Sequence, residues 1–213
     1  VPKPERIPPL HAVTDDAVIA RGGFEERAGE VMAAGGADVA VHLRAPGASG
    51  RRMFALAERL MEMARASGSL LVINDRVDVA MAAGAPAVQL AARSLALADT
   101  RRIAGDAMRI GVSVHEMDEV RDAVAAGADW LIAGTIYPTA SHPGRGGAGI
   151  GLIAEMAALG CPVIAIGGVT PERVPELRRA GASGVAAIRG TWDAPSPGEA
   201  VRRYLDAWRE RGC

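Results

Sequence analysis

"AAGADWLIAG", residues 125–134, reads as the end of a helix, a glycine, a brief turn and a short apolar run. The same grammar recurs in AAGGADVAVHL (33–43), AAGAPAVQL (82–90) and RAGASGVAAI (179–188). Glycine just past a helix supplies the left-handed conformation that turns the chain back. The run behind it is too short for a helix and is continuously apolar, as expected of a strand buried on both faces. Extending the rule outward predicts strands at 10–15, 39–43, 70–75, 87–90, 109–114, 129–134, 162–167 and 184–188. Amphipathic segments lie between and after them, at 24–34, 51–67, 77–83, 98–105, 117–126, 151–159, 171–180 and 197–210. Eight strands alternating with eight helices predict an α/β fold of the (β/α)8 TIM-barrel type. An open doubly wound sheet is the competing architecture, but no GxGxxG follows the first strand. No linker-like break interrupts the pattern, so residues 1–213 are expected to form a single domain, with 1–9 as a proline-rich lead.

Composition narrows the function classes. The chain has 213 residues, a net charge of −1, and 49% apolar but only 3% aromatic residues. That balance argues against nucleic-acid binding by phosphate neutralisation and base stacking. No apolar run is long enough for a membrane span, and VPKPERIPP lacks the charged-then-apolar order of a secretory signal. Two cysteines, Cys161 and Cys213, show no metal-ligand spacing and fit a reducing, cytoplasmic setting. The only lysine is Lys3, in the lead. Arginine does not readily serve as an amine nucleophile, so Schiff-base chemistry from a core lysine is excluded.

In a TIM barrel the chemistry lies at the C-terminal ends of the strands. Those ends carry Thr14, Asp15, His42, Arg44, Asn74, Asp75, Gln89, Ser113, His115, Gly134, Thr135, Gly167, Gly168, Arg189 and Gly190. AIGGVTPERV (165–174), followed by AAIRG (186–190), predicts a phosphate site. Adjacent glycines bare the backbone N–H groups, and barrels often hold phosphate after strands seven and eight. His115, in GVSVHEMDE, is either a helix cap or an acid/base at the reactive face. Arg44 either pairs with a carboxylate such as Asp75 or presents its fork to a substrate anion. Asp75 offers one metal-ligating carboxylate, while Asp78 reads as a helix-start acid. The long loop 137–150, with Ser141, His142 and Arg145, reads as a lid or substrate-binding loop.

Together, LHAVTDD, VHLRA, INDRVDVA, AVQL, IGVSVHEMDE, ADWLIAGTIYPT, CPVIAIGGVTPERV and GASGVAAIRG resemble the thiamine-phosphate synthase and TenI superfamily, from residue 10 to about 205. Within it, synthases join a pyrimidine diphosphate to a thiazole phosphate with magnesium. TenI-type tautomerases aromatise a carboxythiazole phosphate by an allylic proton shift, without a metal. Synthases typically end their second strand with alternating glutamine, arginine and lysine, where this chain has His42, Arg44 and Pro46. Their second magnesium aspartate corresponds to Ser94, and the threonine–lysine of their sixth loop to Ser141–His142.

These departures favour the tautomerase: an isomerase with no cofactor, magnesium entering only if the chain is a synthase. The resemblance then implies His115 as the acid/base and Arg44, His42, Asn74, Gln89, Thr135 and Ser141 as substrate-binding residues. It implies Gly167, Gly168, Arg189 and Gly190 as the phosphate anchor. The expected partner is a small thiazole phosphate, with no nucleic acid or membrane, and a homodimer is allowed for. Synthase activity, or a non-catalytic regulator that binds the thiazole phosphate, are the alternatives.

Overall fold

All four glycine turns have positive φ: Gly36 at 51°, Gly84 at 66°, Gly127 at 81° and Gly181 at 97°. A residue with a Cβ held in the left-handed region costs about 1–2 kcal/mol, which is why glycine recurs there. The computed structural model, which describes residues 6–139 and 147–210, places a strand after each turn. The strands are β1 (Leu10–Val13), β2 (Val39–Leu43), β3 (Leu70–Asn74), β4 (Ala87–Leu90), β5 (Arg109–Val114), β6 (Trp130–Ala133), β7 (Val163–Ile166) and β8 (Gly184–Ala187). Each is parallel to its neighbours, and β8 pairs back to β1 to close the barrel. This is the expected (β/α)8 architecture.

The helices are α1 (Asp16–Ile19), α2 (Phe24–Gly35), α3 (Gly50–Ser67), α4 (Val77–Ala83), α5 (Leu97–Ala104), α6 (Met117–Ala125), α7 (Ile150–Ala157), α8 (Val174–Arg179), α9 (Arg189–Trp192) and α10 (Pro197–Arg209). The helix expected over 171–180 is divided into a 3-10 turn at Pro171–Arg173 and then α8. Pro175 has no N–H to return to the carbonyl of Pro171, so one continuous α-helix cannot form there. The four-residue helices α1 and α9 are too short to show a period in sequence. No helix among the described residues is long and apolar enough to cross a membrane.

Along each strand, alternate residues face the helices or the barrel interior. On β2, Val39, Val41 and Leu43 join the helix-facing core, whereas Ala40 packs in the interior with Val72, Ala87 and Trp130. Trp130 on β6 is paired in register with Gly111 on β5. A Cβ on Gly111 would lie 2.2 Å from Trp130 Nε1 and 2.3 Å from Gln89 Oε1, so only glycine leaves room for the indole. The indole N–H donates to Gln89 Oε1 at 2.9 Å, and Gln89 Nε2 donates to Ser113 Oγ at 3.1 Å.

Across the interior the Trp130 ring meets His11 edge-on, with centroids 6.1 Å apart. His11 Nδ1 lies 2.8 Å from His42 Nε2, and His42 Nδ1 lies 3.2 Å from Asn74 Oδ1. With the amide oxygen of Asn74 facing the ring, His42 donates through Nδ1 and accepts from His11 through Nε2. Both imidazoles are fully buried. Burial pushes the His42 pKa down to about 4 despite the Asn74 hydrogen bond, and burial followed by the neighbouring His42 holds His11 well below its usual range. Both rings are therefore neutral at physiological pH.

Two outcomes follow from this interior. The unfolded chain protonates its histidines near pH 6.5 while folded His42 stays neutral to about 4, so stability falls with pH across that window. His42 alone contributes a slope of up to about 1.4 kcal/mol per pH unit there. Urea denaturation at several pH values should show a shallower slope for His42→Gln than for the wild type. Gly111→Ala should lose about 1–3 kcal/mol or more through overpacking, read as a lower denaturation midpoint.

Candidate active site

The C-terminal ends of the strands gather polar groups, several of them already committed to the loops. Thr14 is buried, and its Oγ donates to the carbonyls of His42 or Arg44, each 3.0 Å away, while accepting from the Arg44 N–H at 2.9 Å. Asp15 caps α1 by accepting from the Val18 N–H at 2.8 Å. Asp16 accepts from the Gly47 N–H, tying the first strand-end loop to the second. These contacts hold the backbone around Arg44. Among the described residues, the Arg44 guanidinium forms no ion pair. The expected alternative, a bond to Asp75, is not formed.

Asp75 instead accepts from Ser94 Oγ at 2.5 Å. Ser94 Oγ also accepts from the Ala91 N–H at 2.9 Å, which fixes the hydroxyl at the end of β4. Asp75 has φ 64°, a conformation uncommon outside glycine, asparagine and aspartate, and its N–H donates to the Gln89 carbonyl at 2.9 Å. A strained backbone that aims a carboxylate into the strand-end face is a mark of a functional position. Asp78, by contrast, lies in the first turn of α4 and is held in a two-point ion pair with Arg76. It remains a helix-start acid.

Asn74 and Gln89 are the uppermost residues of the interior layer. Asn74 is buried over His42, and Gln89 is buried between Trp130 and Ser113. His42 itself lies beneath the face, with both ring nitrogens engaged. Its partner His11 is absent from the sequence-derived set. No signal in the sequence placed it: His11 lies in a short apolar run, and only barrel closure turns Leu10 and Ala12 to the helices and Val13 inward.

His115 is exposed at the end of β5. Its Nδ1 lies 2.5 Å from the Gly134 carbonyl, so Nδ1–H donates to it. Its backbone N–H donates to Glu119 Oε2 at 2.6 Å. Glu116 is the N-cap of α6, so the ring of His115 is not a helix cap. The carbonyl that orients it immediately follows β6, next to Thr135, which is half-buried.

After β7, Gly167 and Gly168 have φ of 100° and 63°. A Cβ on Gly167 would lie 2.5 Å from Thr135 Cγ2, and one on Gly168 would lie 2.9 Å from the Pro138 carbonyl oxygen. The glycine pair thus lets the β6 and β7 loops touch. Arg173 Nη1 donates to the Gly168 carbonyl at 2.5 Å while its guanidinium stacks on the Tyr137 ring, which braces that contact. After β8, Arg189 is exposed and lies 4.0 Å from Asp193. Gly190 leaves room for the Tyr204 hydroxyl, which donates to the Val169 carbonyl at 2.9 Å. The long loop returns alongside β6, with Ala148 N–H donating to the Thr135 carbonyl and Gly149 N–H to that of Ile136. Ser141, His142 and Arg145 lie outside the described residues.

Known proteins bear on the activities the sequence left open. The family model described as thiamine monophosphate synthase matches residues 10–191. A thiamine-phosphate synthase of Mycobacterium sp. (strain KMS) is 39% identical over 203 residues, covering 90% of this chain and 89% of the relative. One from Methanoculleus marisnigri is 36% identical and covers 95% of this chain and 98% of its own. Among solved structures, thiamine phosphate pyrophosphorylase from Pyrococcus furiosus superposes with a TM-score of 0.81 at 27% identity, covering 93% of this chain and 94% of that one.

These findings overturn the expected thiazole tautomerase, and with it the isomerase class and the TenI subtype. That expectation leaned on Pro46, Ser94 and Ser141–His142 as losses. In the fold, the Ser94 hydroxyl lies against the Asp75 carboxylate and donates to it. Matched along 182 of its 213 residues (10 through 191) and related over nearly its full length to named synthases, this chain belongs to the thiamine monophosphate synthase (TMP-TENI) family.

Proposed function

We propose that this protein is a thiamine-phosphate synthase, a transferase that joins a thiazole phosphate to a pyrimidine diphosphate. The observation that carries the reading is the 39% identity, over 90% of the chain, to a protein of that name. In this reaction a ring nitrogen of the thiazole bonds to the methylene carbon of the pyrimidine, and the carbon–oxygen bond to the diphosphate breaks. The products are thiamine phosphate and pyrophosphate.

The magnesium ion that synthases typically use has a compatible donor set in the Asp75 carboxylate with the Ser94 hydroxyl against it. Magnesium is commonly held by one or two carboxylates, with substrate phosphates and water completing its shell. When bound, it neutralises charge developing on the departing diphosphate. The protein supplies the remaining groups. Arg44, free of any carboxylate partner among the described residues, offers a two-point fork to a diphosphate oxygen. Asn74, Gln89 and Ser113 form the floor on which a ring rests, their orientations set from below by His42 and Trp130. The Gly167–Gly168 turn and the Arg189–Gly190 segment take the thiazole phosphate, as barrels often do after strands seven and eight. His115, pinned through Nδ1, lends a fixed polar edge beside Thr135.

The test is direct. Purified protein given the thiazole phosphate, the hydroxymethylpyrimidine diphosphate and magnesium should form thiamine phosphate and release one pyrophosphate per turnover. No product from the wild type would overturn the assignment. Asp75→Asn tolerates the same backbone conformation but removes the anionic ligand. It should lose about 10²-fold or more in kcat/KM with an unchanged melting temperature.

A further inference from the structure

The opposite end of the barrel holds a cleft that the synthase reading does not use. Its volume is about 340 Å³, and its lining includes Arg6, Pro9, Arg109, Asp129, Ser183 and Trp208. Arg109 opens β5, Pro9 and Asp129 immediately precede β1 and β6, and Ser183 immediately precedes β8. The cleft therefore lies on the N-terminal floor, separated from the strand-end face by the filled barrel interior.

Arg109 is the unusual member. It is only 8% exposed, and its Nε is buried with no hydrogen-bond partner. A buried guanidinium without a partner is costly, so such groups are ordinarily paired. The nearby carboxylates are taken. Asp129 Oδ2 accepts from Arg101 Nη2 at 2.9 Å and from the Ile110 N–H at 2.8 Å. Asp38 is shared by Arg6 and Arg209. Arg109 forms no ion pair among the described residues, and Asp129 favours its charge only at longer range. Burial lowers its pKa, with Asp129 pulling the other way, and an arginine remains charged throughout.

We propose that this floor cleft is a second anion site, in which Arg109, flanked by Ser183 and walled by Trp208, binds a single phosphate group. The guanidinium fork matches two phosphate oxygens, and Ser183, which lines the same cleft, carries a hydroxyl as a neutral donor. Pro9 and Trp208 give the cleft apolar walls, which strengthen a charge-assisted hydrogen bond by excluding water.

The three tryptophans occupy three levels of the barrel and act as built-in reporters. Trp208 lines the floor, Trp130 fills the interior, and the Trp192 indole N–H bonds the Val13 carbonyl near the strand ends. Inorganic phosphate titrated into the full chain at constant ionic strength should shift the Trp208 indole N–H resonance saturably in the millimolar range, leaving Trp130 in place. Arg109→Gln should weaken that response about tenfold or more, because it removes the charged fork. Ser183→Ala, at a half-buried position outside the core, should weaken it more modestly and serves if Arg109→Gln does not fold. A Trp208 resonance that fails to saturate with phosphate, or that responds equally in a folded Arg109→Gln protein, overturns the proposal. So does a Trp208 response with the same midpoint as that of Trp192 in both the wild type and folded Arg109→Gln, which would place a single phosphate at the strand ends. None of these outcomes depends on whether the enzyme makes thiamine phosphate.

Discussion

A closed parallel barrel is stable only if its interior is filled, and here the filling turns on one contact: the Trp130 indole lying over Gly111. The absent Cβ on β5 lets the ring cross toward β1, and its N–H finds Gln89. Around that ring the interior is a connected polar layer, running from Ser113 through Gln89 to Trp130 and, beyond the ring contact, from His11 through His42 to Asn74. A tryptophan in this position excludes water while presenting a single polar edge. The neighbouring amides and imidazoles can then be satisfied by one another, with His11 Nε2 left unpaired in this layer.

This layer is also the support of the strand-end face. Asn74 and Gln89 belong at once to the interior network and to the surface on which a substrate ring would rest. The neutral state of His42 allows it to do this, since a protonated His42 would have no acceptor to offer His11. Burial thus sets the protonation state, protonation sets the direction of the hydrogen bonds, and that direction sets which edge of each amide is left for a ligand. Asp75 adds a second constraint. Its left-handed backbone, fixed by the Gln89 carbonyl, brings the carboxylate to the Ser94 hydroxyl across the β3–β4 boundary.

Substitution at a site is not the same as its loss. On residue identity alone, serine for aspartate at position 94 reads as a missing metal ligand. In three dimensions the hydroxyl remains within a hydrogen bond of Asp75, and a diphosphate substrate carries oxygens of its own. The weight given to residue types at a few positions was therefore less informative than the similarity running along the whole barrel to proteins named as synthases.

The sequence by itself determined the barrel and where its reactive end lies. Glycine turns and short apolar runs are local signals, and eight such runs in alternation with helices admit few other folds. It also singled out Arg44, Asp75, His115 and the Gly167–Gly168 pair, because polar residues at the ends of apolar strands stand out against their surroundings. Tertiary structure alone decided what lies inside the barrel. A parallel strand buried on both faces shows no alternation of polar and apolar residues, so the sequence does not reveal which way His11, Trp130 or Arg109 points. Closure of the sheet sets that phase, turning one histidine of β1 into the base of the strand-end network and the first arginine of β5 into an unpaired cation on the floor.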